Sequence, residues 1–126
     1  MAQAFLRAQE IADIAVAEIA RLDDQYEKDV EAGIKKYEGQ ASIRGFLWWR
    51  HIHHASRQEA EDIFYGRNSD CWWSPADKLQ EKHSRRVGSW MTIKEAALGA
   101  LERGDKKVLL DAADIARIRK ATPLTQ

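Results

Sequence analysis

Three of the four histidines fall within four residues, His51, His53 and His54. This is the first place in the sequence where metal chemistry could sit. Read as helix, His51 and His54 lie three apart and share a face, while His53 points elsewhere. Such a pair could supply half of a metal site. The rest would have to come from carboxylates. Glu27 and Glu31 share a face of the first predicted helix, and Glu59 and Asp62 pair on the second. Two carboxylate pairs on packed helices would suit a divalent cation, which makes a metal-dependent all-α hydrolase one candidate. No HEXXH run is present, and no Glu-x-x-His pair supports a di-iron bundle. The single cysteine, Cys71, removes cysteine-rich zinc sites. Solvated histidines on a polar face are the plainer expectation, and no cofactor is expected.

Cys71 has no histidine or acid at a spacing that would make it a nucleophile. Flanked by Trp72, it reads as a small buried hydrophobe. The isolated glycines, Gly99 and Gly104 among them, form no phosphate-binding loop. No catalytic set is recognisable, and an enzyme is the less favoured class.

The five tryptophans carry a different kind of chemistry. Trp48 and Trp49 are adjacent, as are Trp72 and Trp73. A buried Trp removes about 200 Å² from water, so such pairs dominate local energetics wherever they point. If a domain this small cannot bury them all, the exposed ones mark an interface. Arg50, Arg85 and Arg86 would rim that patch and suit an acidic partner. A non-enzymatic binding or regulatory protein, such as an inhibitor that occupies a surface on another protein, is therefore the expected function. A rival reading starts from Arg67, Lys78, Lys82, Arg85, Arg86 and Trp90, where cations interleave with rings as single-stranded nucleic acid requires. Helices over 93–103 and 106–121 also match a generic helix-turn-helix outline.

Charge is unevenly distributed along a chain whose formal net charge is zero. Residues 1–38 hold nine acids and five bases, and residues 67–126 hold twelve bases and eight acids. Zero net charge argues against strong non-specific binding of nucleic acid by the whole chain. Internal complementarity between an acidic helix and a basic second half accounts for the asymmetry more simply than a polyanion-binding face does.

At 126 residues the chain is expected to form one domain, 1–126, with a core that needs neither disulfide nor metal. One cysteine favours a reducing compartment. Glu10 and Asp13 interrupt the early apolar residues, so a signal peptide is not expected. No apolar run approaches the length of a membrane span, so no membrane partner is expected. These features point to a cytoplasmic protein.

The positioning elements are read as helices over about 3–38, 42–65, 75–86, 93–103 and 106–121. Phe5, Ala8, Ala12, Ala15, Ile19 and Leu22 follow a heptad-like 3–4 spacing. A continuous first helix would run about 54 Å at 1.5 Å per residue. Gly33 lies within it as a weak point of about 1 kcal/mol against alanine. Gly39 ends it in the manner of a C′ glycine. Ser42 then caps a second, antiparallel helix whose core stripe holds Trp48, Trp49, Ile52, Ala60 and Ile63. Ser74-Pro75-Ala76-Asp77 is a clean helix start. Gly88 ends that helix, and Thr92 to Glu95 reads as a capping box for the next. No alternating strand pattern is apparent. The expected fold is all-α, a long antiparallel helical hairpin packed by three shorter helices. The length of helix one and its Ala/Ile stripe make a homodimer a further expectation.

Overall fold

A computed structural model describes residues 3–45, 48–67 and 73–121. The elements run β1 (Ala4–Arg7), α1 (Ala8–Tyr37), β2 (Ala41–Arg44), β3 (His51–His54), α2 (Arg57–Tyr65), α3 (Pro75–Glu102), β4 (Lys107–Leu110) and α4 (Ala112–Ala121). Helix accounts for 69% of the described residues. The chain is mostly α, not all-α: two antiparallel two-stranded ribbons, β1 with β4 and β2 with β3, accompany the four described helices.

The long first helix forms from Ala8, not from residue 3, because Ala4–Arg7 with Phe5 pairs as strand β1; it ends at Tyr37 with Gly39 in the left-handed conformation (φ 79°). The described residues in the first half of the second predicted helix are not helical. Residues 41–44 and 51–54 pair as a β-hairpin, and only Arg57–Tyr65 is helical. Ser42 is therefore a strand residue and not a cap. The α2 cap is Ser56, whose side chain accepts from the Glu59 amide while the Glu59 carboxylate accepts from the Ser56 amide.

Helices predicted over 75–86 and 93–103 are one helix, α3. Gly88 does not stop it. Thr92 is no cap either, because its hydroxyl donates to the Gly88 carbonyl one turn back at 3.1 Å. The predicted start at Ser74 does form. Ser74 Oγ accepts from the Asp77 amide, and Asp77 Oδ2 accepts from the Ser74 amide, both at 3.1 Å. The last predicted helix begins instead with strand β4. Asp111 caps α4 by accepting from the Asp114 amide at 2.9 Å.

Contacts divide the chain into two compact units. The first comprises residues 1–23 and 84–126. Its core takes Ala8, Ile11, Ala12, Ala15 and Leu22 from α1, and Trp90, Ile93, Ala97 and Ala100 from α3. Val108 and Leu110 of β4 and Ile115 and Ile118 of α4 complete it. Those α3 positions step 3, 4, 3, one face of a helix. Ile11, Ile93 and Ile118 are fully buried. Each contributes about 1.5–3 kcal/mol relative to exposure.

The second unit is residues 24–83. Ile34, Ala60 and Phe64 form its small core, with Val30, Tyr37, Ala76 and Leu79 packed around them. Gly33 lies directly against the Phe64 ring. Tyr26 stacks on His83 with ring centroids 4.4 Å apart.

Candidate interaction surface

The second unit carries the hairpin on which the exposed tryptophans sit. Its register pairs Ala41 with His54, Ser42 with His53, Ile43 with Ile52 and Arg44 with His51. Successive strand residues point to opposite faces. One face therefore holds Ser42, Arg44, His51 and His53, and the other holds Ala41, Ile43, Ile52 and His54. Gly45 opens the turn with φ 95°, and a Cβ there would come within 2.6 Å of the Trp49 carbonyl oxygen. The turn requires glycine at that point.

The polar face is held to α2. His53 Nε2 lies 2.7 Å from Glu59 Oε1 and 2.9 Å from Oε2. Arg44 Nη2 donates to the same carboxylate at 3.0 Å. The Glu59 carboxyl is held below the usual glutamate range, first by the His53 hydrogen bond and then by the Ser56 amide. Behind it, Arg57 anchors α2 to the second half of α1. Its guanidinium donates to both oxygens of Glu31, at 2.8 and 2.6 Å, in a bidentate pair. Arg57 Nε reaches Glu61 at 3.1 Å, and Glu38 lies 3.7 Å away. The Arg57 hydrogen bond holds Glu31 below its ordinary pKa, and Glu31 in turn raises that of Arg57.

The other face is open to solvent. Ile43 and Ile52 stand opposite each other and are 71% and 67% exposed. At the tip, Trp48 is 83% exposed and Trp49 67%. Arg50 is exposed beside them. Segment 39–58 contains no aspartate or glutamate, but holds Arg44, Arg50, Arg57 and three histidines. The hairpin is thus an aromatic and cationic ribbon with bulky apolar side chains facing water.

The structure distributes the other sequence-predicted residues more widely. Trp48, Trp49 and Ile52 are not a core stripe, because the segment is a ribbon and its tip. Trp73 is half-exposed just before α3. Trp72 and Cys71 lie outside the described residues. Arg85 and Arg86 are exposed on α3, within the other unit.

Of the residues of the nucleic-acid reading, Lys78, Lys82, Arg85 and Arg86 all lie on α3. Trp90 is 7% exposed in the first unit's core and offers no ring for stacking. Arg67 is engaged with Asp62 at 3.3 Å and lies 5.0 Å over the Tyr65 ring. Lys78 and Lys82 are exposed on α3.

The metal-site residues do not converge. In a strand, His51 and His54 fall on opposite faces, unlike in a helix. Glu31 is engaged by Arg57, Glu59 by His53 and Arg44, and Asp62 by Gln58 and Arg67. Glu27 is exposed on α1. Among the described residues, no group of three or more His, Cys, Asp or Glu side chains could hold a metal ion. Likewise, no described helix is long and apolar enough to cross a membrane.

Reading the residues alone misses Ile43, Ile52, Arg44 and Arg57. Alternation at Ile43 and Ile52 is the available signal for the ribbon. The spacing of Arg57 to Glu61 is the signal for the anchor. No protein-family model, curated protein or solved structure matches this chain.

Proposed function

We propose that this is a non-enzymatic binding protein that docks an acidic surface of a partner protein through the β2–β3 hairpin. The observation that carries the reading is the exposure of Trp48 and Trp49 at the tip of a ribbon free of acidic residues. Trp and Arg are the residues on which protein interfaces concentrate binding energy. Ile43 and Ile52 extend the apolar area beneath the tip, and Arg50, His51 and His54 rim it. The Glu59 and Arg57 contacts present the ribbon to a partner without using its outer face.

The test is capture of partners by the immobilised full chain, compared with Trp48→Ala combined with Trp49→Ala. A specific protein retained by the wild type, resistant to moderate salt and lost in the variant supports the reading. Retention equal in both proteins refutes it. A retained species that is nucleic acid, released steeply as salt rises, would favour the rival class. A mass of two chains that falls to one in the variant would make a second copy of this chain the occupant.

A further inference from the structure

A separate feature lies in the first unit, on the β1–β4 ribbon. Arg7 and Lys107 are cross-strand partners, so two cations stand directly opposite each other. Like charges in that position destabilise a ribbon. No described side chain compensates them: among the described residues neither Arg7, Lys106 nor Lys107 has an ion-pair partner. Asp105 is turned to Arg103, at 3.4 Å, and Glu10 sits in the first turn of α1 outside the recess lining. Arg7, Lys106 and Lys107, with Gln9 and Leu101, surround a recess of about 330 Å³. The first residue of α1, Ala8, donates its amide to the Lys106 carbonyl at 2.9 Å, which brings the positive end of that helix close by.

The same face of the ribbon turns apolar beyond the cations. Phe5 pairs with Leu109, and both follow the strand alternation of Arg7 and Lys107. They are 64% and 45% exposed, whereas Val108 and Leu110 on the opposite face are buried. One face thus carries a cation pair, then an exposed apolar pair, with the recess beside the cation pair.

We propose that this recess, whose wall is mainly apolar, binds a small amphiphilic anion, its apolar body against Leu101 and the alkyl stems of Arg7, Lys106 and Lys107 and its carboxylate or phosphate held at the mouth by their charged ends. The anion supplies the counter-charge that no described residue supplies, and Phe5 and Leu109 extend the apolar cover along the same face. The site shares no residue with the hairpin.

The experiment is calorimetric titration of the full chain at low ionic strength with octanoate, octanol and inorganic phosphate, alongside co-sedimentation with phosphatidylglycerol vesicles. Octanoate should bind at one per chain, with octanol and phosphate each weaker by about tenfold or more, since each lacks one half of the recognition. Lys107→Glu should weaken octanoate by about tenfold or more. Its melting temperature should hold or rise, because the change converts a like-charge cross-strand pair into an opposite-charge one. The Trp48→Ala, Trp49→Ala variant should bind octanoate as the wild type does, which keeps this test separate from that of the hairpin. Octanoate binding no tighter than octanol, or unaffected by Lys107→Glu, would overturn the proposal. So would vesicle binding without octanoate binding, which would make the face a lipid-surface contact.

Discussion

His53 Nε2 sits 2.7 Å from Glu59 Oε1, and this contact ties the exposed hairpin to the first turn of α2. The same carboxylate receives Arg44 and closes the α2 capping box. One glutamate therefore fixes two strands and one helix start. Its removal should act on the ribbon more than on the helices. Glu59→Ala is expected to raise amide exchange across 41–44 and 51–54 while leaving exchange in α1 and α3 at wild-type rates. Equal protection of the ribbon in both proteins would show that the turn alone holds it.

Acid should loosen the same region. Glu59 and Glu31 both have folded-state pKa values below the ordinary glutamate value of 4.5, held down by His53 and Arg57 respectively. A carboxyl depressed by folding contributes stability that is complete above its unfolded pKa and is lost as pH falls through the folded value. Thermal stability should therefore decline below about pH 4.5. Glu31→Gln should flatten that decline while lowering stability at neutral pH. An unchanged acid limb in this variant would remove the Arg57 pair from the account.

Two glycines within helices should respond to alanine with opposite signs. Gly88 sits exposed in α3 with open space where a methyl group would point, so Gly88→Ala should stabilise by about 1 kcal/mol through helix propensity. Gly33 in α1 has the same propensity term, but a methyl there collides with the buried Phe64 ring. Gly33→Ala should destabilise by about 1–3 kcal/mol, as overpacking does. Denaturant melts of the two variants give both signs. A stabilising Gly33→Ala would mean that Phe64 yields without cost.

Phe64→Ala should be the most damaging change in the second unit, at about 3–5 kcal/mol, because the ring is buried in a core of few residues. Ser56→Ala, which removes the α2 cap, should cost about 1 kcal/mol. A chemical-denaturation ranking with Ser56→Ala above Phe64→Ala would contradict the packing described.

The parts of the fold legible in the sequence are those with long periodicity or clear caps. Helix α1 is 30 residues long, and Ser74-Pro75 with Asp77 closes a reciprocal cap. The strands are not legible because each is four residues long. Over so short a run, alternation and helical spacing place the apolar residues almost equally well. His51–His54 shows the consequence: a helix brings His51 and His54 to one face, a strand separates them, and the metal reading depends on that choice. Gly88 and Thr92 carry punctuation that tertiary packing overrides, since Trp90 and Ile93 are buried on a continuous helix. The aromatic surface is legible as residue types at Trp48, Trp49 and Arg50. Its supports, His53 to Glu59 and Arg57 to Glu31, depend on pairings 6 and 26 residues apart that no local pattern specifies.

Trp48 and Trp49 face water on a folded hairpin. Acrylamide quenching of tryptophan fluorescence, compared between the wild type and Trp48→Phe with Trp49→Phe, reads this exposure. The substitutions should remove a red-shifted, readily quenched component, leave the protected Trp90 emission in place and keep the melting temperature unchanged. Loss of a blue-shifted, poorly quenched component together with a fall in melting temperature would place both side chains in a core and contradict it.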